Sequence, residues 1–207
     1  TYNNIQNEDT VLKPRSPYAV SKVFGHHMTQ NYREAYKLFA CSGILFNHES
    51  PLRGHDFVTK KVVSSLVKIK KKKLHILELG NLNAVRDWGY ADDYVEAMWR
   101  MLQQKKPDDY VISTGKICSV RKFIEITCKE LKIKLYWKGQ GINIKGIDKE
   151  TKKTIIRINK KYFRPTEVHY LRGSFNKARK KLKWKPTYSL KELIKLMIKF
   201  EQEMSDY

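Results

Sequence analysis

The sequence predicts an α/β fold. Stretches with apolar residues at helical spacing alternate with short apolar runs of roughly four to eight residues, the length of a buried strand. Polar or Gly/Pro-containing turns separate them, and no internal repeat is present. Apolar residues make up 41% of 207 positions, enough to bury a core.

Residues 1–15 read as a polar loop. Ser16-Pro17 opens the first helix: a hydroxyl can cap an early amide, and proline in the first turn forgoes only a donor that lacks a partner there. This helix is predicted to run to about Leu38. FACSGILF, residues 39–46, reads as a buried strand, and 47–56 as a loop. Residues 57–71 read as a helix with Val58, Val62, Leu66 and Ile69 on one stripe. A strand is predicted at 74–79, a loop at 81–90, a helix at 92–104 capped by Asp92 or Asp93, and a strand at 110–113. Ser119 caps a helix to about Leu131, and 133–137 reads as a strand. GQGINIKG, 139–146, reads as a flexible loop and 154–158 as a strand. Closing helices are predicted at 176–182 and 190–204, joined through WKPTYS.

The charge is strongly basic: 42 Lys and Arg against 21 Asp and Glu, a net +21. Such a balance raises a nucleic-acid-binding reading. However, only ten of the 42 are Arg, and the lysines are spread along the chain. The densest run, KIKKKK at 68–73, ends an apolar-periodic segment, where cations suit the negative pole of a helix. Nucleic acid is therefore disfavoured. No apolar run approaches membrane-spanning length, and the start carries no apolar secretory segment. Cys41, Cys118 and Cys128 form no CxxC and suggest neither a disulfide framework nor a metal site. A cytoplasmic setting is expected.

Four stretches could carry chemistry. In SPYAVSK, Tyr18 and Lys22 share one helix face. A free phenol titrates near pH 10, and a nearby ammonium in a half-buried cleft favours the phenolate. Alone, the pair is more often an incidental helix-surface contact, because this spacing occurs commonly by chance. GILFNHESPLRG leaves an apolar strand and presents Asn47, His48, Glu49, Ser50 and Arg53 where ligands bind in open α/β sheets. The bland alternative is a polar loop. HESPL is no HExxH zinc motif, since Leu52 stands at the second histidine's place. In VRDWGYADDYVEA, Arg86 can clamp a diphosphate or simply pair with Asp87. In YFRPTEVHYL, Arg164 and Glu167 flank a proline turn and could hold a phosphate and a sugar diol, or each other.

Together these stretches resemble the extended short-chain dehydrogenase/reductase superfamily, and within it the GDP-mannose 4,6-dehydratase family. PRSPYAVSK, NYREAY, GILFNHESPLRG, FVTKK, LGNLNAVRDWGYADDYVEAMW, DDYVISTG, SVRKF, KGI, YFRPTEV and KLKWKP occur in that family's order and spacing. The resemblance implies part of a Rossmann-type, NADP-binding, doubly wound parallel sheet with a smaller α/β C-terminal substrate domain. Residues 1–47 and 84–115 would belong to the NADP-binding domain, and 48–83 and 116–207 to the GDP-sugar-binding domain.

It also implies conversion of GDP-mannose to GDP-4-dehydro-6-deoxy-mannose, the first step of GDP-fucose synthesis. Tyr18 as phenolate would take the C4 hydroxyl proton while hydride passes to NADP. A carboxylate would remove the C5 proton, water would leave from C6, and hydride would return to C6. Lys22 would hold the nicotinamide ribose and favour the phenolate. His48 and Arg53 would touch the cofactor. Asn47, Val58 and Lys61 would face the sugar nucleotide, Arg86 and Arg164 its diphosphate, and Glu167 its ribose. No metal is implied, and a homodimer or homotetramer is.

In the family, the glycine-rich NADP loop and the Thr and Glu acting on the sugar precede the segment matching residues 1–15. An N-terminal half is therefore expected to be missing and the isolated chain inactive. Leu52 stands where the family often has an Arg. A related nucleotide-sugar epimerase or reductase is the alternative enzyme reading, distinguished by lacking a C5 base.

Overall fold

The computed structural model describes residues 5–163, 166 and 168–204. In chain order the elements are α1 Pro17–Tyr36, β1 Ser42–Leu45, β2 Asn47–Glu49, α2 Val58–Lys70, β3 Leu77–Leu79, β4 Val85–Arg86, β5 Trp88–Tyr90 and α3 Ala91–Leu102. They continue with β6 Asp109–Ile112, β7 Cys118–Ser119, α4 Val120–Glu130, β8 Leu135–Lys138, β9 Lys145–Asp148, β10 Thr154–Ile158, α5 Asn176–Leu182 and α6 Leu190–Met204. The α/β expectation holds. The chain forms two units: Thr1–His48, Arg86–Ile117 and Thr166–Tyr188 make the first, and Glu49–Val85, Cys118–Pro165 and Ser189–Tyr207 the second.

In the first unit β1 and β6 run parallel, Ser42 opposite Asp109 through Leu45 opposite Ile112. Tyr94, Ala97 and Met101 of α3 pack with Tyr110 and Ile112 of β6 and with Ala178, Leu182 and Trp184. Trp184 donates its indole N–H to the Asp93 carbonyl at 2.7 Å and meets Tyr94 and Phe175 edge-on. That tryptophan anchors 166–188 in this unit, whereas the sequence groups the segment with everything after residue 116. Burying a large aromatic side chain contributes on the order of 3 kcal/mol.

α3 begins at Ala91 with Tyr90 at the cap position, not with Asp92 or Asp93 as the sequence predicts. Asp93 is 4% exposed and turns away to hold the WKPTYS segment. It accepts from the Thr187 amide at 2.9 Å and its hydroxyl at 2.5 Å. An early acidic residue still suits the positive end of the helix dipole, so the helix loses little.

The second unit carries a four-stranded sheet in the order β3-β10-β9-β8. β3 and β10 are parallel, while β9 runs antiparallel to both β10 and β8. β9 begins in the last two residues of the stretch the sequence assigns to a loop, 139–146, and continues beyond it. Gly146 explains both facts: a side chain there would meet Ile156 at 3.0 Å and Leu135 at 3.1 Å, so glycine permits the close strand pairing while hiding the strand's apolar pattern. α2, α4 and α6 pack together, with Val62, Val63, Leu66, Ile124, Leu193 and Ile194 buried between them. The 68–73 lysine run ends α2, and Lys71 donates to the Gln202 carbonyl at 3.1 Å, in keeping with a helix terminus.

Candidate active site

α1 opens as its sequence predicts. Ser16 accepts the Ala19 amide at 3.1 Å, with Pro17 in the first turn. The i,i+4 spacing places the Lys22 ammonium 5.2 Å from the centroid of the Tyr18 ring. The sequence predicts a half-buried cleft here; within this chain the Tyr18 side chain is 72% exposed, and no residue of α1 is buried. The helix is tied down through its polar C-terminal half instead. Arg33 pairs with Asp109 at 2.5 Å and donates to the Ala40 carbonyl, and Gln30 donates to Asp109 at 2.9 Å. Burial pushes the Asp109 carboxyl upward, but these donors and the Ser42 amide outweigh it and hold the group below its ordinary range.

β1 delivers the chain to Asn47 and His48, both half-buried. His48 Nδ1 lies 3.0 Å from the Phe46 carbonyl oxygen. A carbonyl only accepts, so Nδ1 carries the proton and a neutral ring offers Nε2 as a lone-pair acceptor. The ring stacks on the buried Tyr94, 5.0 Å between centroids, which fixes its direction. Arg86 lies half-buried in β4. Its neighbour Asp87 is fully buried and accepts from the Thr114 amide (2.8 Å), the Thr114 hydroxyl (2.6 Å) and the Gly115 amide (2.8 Å). Burial pushes the Asp87 carboxyl above its usual range, against these bonds.

The second unit holds Arg53, Val58 and Lys61, and Arg53 pairs there with a buried carboxylate, Glu49, that the sequence reading leaves without a role. Glu49 is 3% exposed. It accepts from the Thr59 hydroxyl at 2.6 Å and pairs with Arg53 Nε at 3.2 Å. Burial pushes the Glu49 carboxyl above its usual range, while the Thr59 hydrogen bond and the Arg53 charge pull it back. The Arg53 guanidinium sits 3.4 Å over the Phe57 ring. Val58 is half-buried at the start of α2, and the Lys61 ammonium lies 3.6 Å over the Tyr162 ring. Hydrogen bonding to Lys161 and the charge of Lys61 lower the Tyr162 phenol from its usual value. Arg164 and Glu167 lie outside the described residues.

Tyr18, Lys22, Asn47, His48 and Arg86 thus share the first unit, and Arg53, Val58 and Lys61 the second. A cavity of about 440 Å³ lined by Lys129, Lys132, Lys134 and Lys149 contains none of them. Among the described residues no cluster of His, Cys, Asp or Glu could hold a metal ion, and no helix is long and apolar enough to cross a membrane. The sequence reading names Glu49, Asp87 and Asp93 without their buried roles, and it does not single out the buried Lys60. Their one local signal is a charge set among apolar positions.

The family model described as GDP-mannose 4,6 dehydratase matches residues 1–197. This chain belongs to the GDP-mannose 4,6-dehydratase family. The GDP-mannose 4,6 dehydratase of Drosophila melanogaster is 51% identical over 199 residues, covering 96% of this chain and 50% of that protein. The chain spans about half the length of the curated GDP-mannose 4,6-dehydratases it matches. Among solved structures, RMD from Pseudomonas aeruginosa, complexed with NADPH, superposes with a TM-score of 0.79 at 18% identity, covering 98% of this chain and 63% of that one. The dTDP-glucose 4,6-dehydratase of Bacillus anthracis, in complex with NAD, superposes at 0.80 with 16% identity, covering 100% and 58%. At such identities the structural likeness speaks for the fold: the Rossmann-type α/β architecture of dehydratases and epimerases.

Proposed function

We propose that this chain contributes the Tyr–Lys pair and part of the substrate site of a GDP-mannose 4,6-dehydratase, a hydro-lyase making GDP-4-dehydro-6-deoxy-mannose. The observation that carries the reading is the family match over residues 1–197, together with Tyr18 and Lys22 side by side on an exposed helix face. NADP suits the donors present. An accessible ammonium beside an accessible phenol can meet ribose hydroxyls, and His48 offers a ring held in one direction. When bound, NADP would supply reversible hydride transfer between C4 and C6 of the hexose with no net redox change.

The chain's own residues manage protons and charge. Tyr18 as phenolate accepts the C4 hydroxyl proton, and Lys22 balances the phenolate and holds a ribose hydroxyl. His48 and Arg53 orient the cofactor. Asn47, Val58 and Lys61 face the sugar nucleotide; Arg86 and Arg164 neutralise the diphosphate, and Glu167 accepts from the guanosine ribose. The resemblance assigns the C5 base to a carboxylate in a segment preceding the one matched here. A homodimer or homotetramer in the cytoplasm belongs to the same reading, with α1 as a candidate helix at the face between copies.

The test joins the N-terminal half of the Drosophila relative to this chain and supplies GDP-mannose and NADP. A 4-keto-6-deoxy product with no net NADPH supports the reading. Accumulating NADPH, or a product keeping its C6 hydroxyl, contradicts it.

A further inference from the structure

We propose that Glu201 of α6, acting through Lys60, is a positioning residue for Arg53. The inference rests on the reading above only in giving Arg53 a cofactor to meet.

α6 shows why Glu201 is unusual. Leu193, Ile194, Met197 and Ile198 form its buried stripe, and Glu201 takes the next place on that stripe, 7% exposed. An isolated carboxylate there would be costly. Its partner is the Lys60 ammonium, from a residue 4% exposed in the first turn of α2. Lys60 does more than neutralise Glu201. It donates to the Pro51 carbonyl at 2.7 Å, and its ammonium lies 5.0 Å from the Phe200 ring centroid. Thr59, one residue earlier, donates to Glu49 at 2.6 Å. Consecutive residues of α2 therefore grip both ends of Glu49–Ser50–Pro51.

Arg53 is set by that grip. Its amide donates to the Ser50 carbonyl at 3.1 Å, closing a turn around Pro51. Its guanidinium is wedged between Glu49 at 3.2 Å and the face of Phe57 at 3.4 Å, with Nε shielded from water. Moving Pro51 moves the turn that carries Arg53. A buried ion pair used only for stability could be replaced by apolar side chains at little cost. Here the ammonium has a third partner, the Pro51 carbonyl, that no apolar residue can serve.

This distinction gives the test. Glu201→Gln leaves the Lys60 charge buried beside a weaker acceptor. Lys60→Met with Glu201→Leu removes both charges and keeps the volume. The double variant should regain wild-type Tm and still release Pro51. In the 207-residue chain the Arg53 Nε–H resonance, observed by ¹⁵N–¹H correlation, should be shifted and slow to exchange. It should move to the free-arginine position in both variants. In the chimera, KM for NADP should rise about tenfold in the double variant, with kcat within about twofold of wild type. A double variant with a wild-type Arg53 signal overturns the proposal and leaves the pair a core element. An inactive wild-type chimera would instead sink the dehydratase reading, while the Arg53 signal would still decide the positioning claim.

Discussion

Asp87→Ala should be among the most damaging single changes in the first unit. The carboxylate is fully buried and receives three well-formed bonds, two on one oxygen from Thr114 and one on the other from Gly115. A bond to a charged acceptor contributes about 1.5–3 kcal/mol, and an abandoned buried donor costs about 1–3 kcal/mol. Against this stands relief from burying a charge, visible in the upward push on the Asp87 carboxyl. The net loss should be about 3–5 kcal/mol, at the upper end for point changes. Urea titration followed by tryptophan fluorescence reads it directly, since Trp88 and Trp184 are buried in the same unit. A loss below about 1 kcal/mol would refute the reasoning, because Asp87 would then bear no share of the loop pairing. The pH dependence has a definite sign. The folded carboxyl binds its proton more tightly than the unfolded one, so its contribution is fully present below the unfolded value and is lost as pH rises through the folded one. The stability gap between wild type and Asp87→Asn should therefore be wider at acid than at neutral pH.

Among the described residues every non-glycine with positive φ is a lysine, including Lys132 at 57° and Lys183 at 55° after helices. Replacing either by glycine relieves about 1–2 kcal/mol of left-handed strain and costs part of that in unfolded-chain entropy. Each change should raise Tm by about 1–4 °C by calorimetry, and a fall in Tm would contradict the backbone argument. Burial pushes the Cys118 thiol up to about 11 and the Cys128 thiol up to about 12, whereas Cys41 is half-buried. At pH 8 a disulfide reagent should modify Cys41 quickly and the other two only after unfolding; three equally fast thiols would contradict the burial.

What the sequence makes legible is local. Ser16 and Ser119 announce helix starts because a hydroxyl cap acts within three residues, and both caps form. The Tyr18–Lys22 contact follows from helical spacing alone. The loop-like GQGINIKG hides the start of β9 because Gly146 is needed for clearance rather than for a turn. Asp87 is hidden for another reason: its partners lie 27 and 28 residues away, beyond any local pattern. Glu201 and Lys60 carry a faint mark, a charge on an apolar stripe, but only the fold reveals that each answers the other. The exposure of Tyr18 shows the limit of spacing as a guide to burial: the pair forms, and nothing in the helix pattern says what covers it.

The central claim is that the phenol of Tyr18 takes the proton from the hexose C4 hydroxyl. The direct measurement compares turnover of GDP-mannose by the Tyr18→Phe chimera and its parent, with GDP-mannose binding measured alongside. Turnover should fall by on the order of 100-fold or more while binding is kept, as removal of a general base requires. Turnover equal to the parent's would contradict the account.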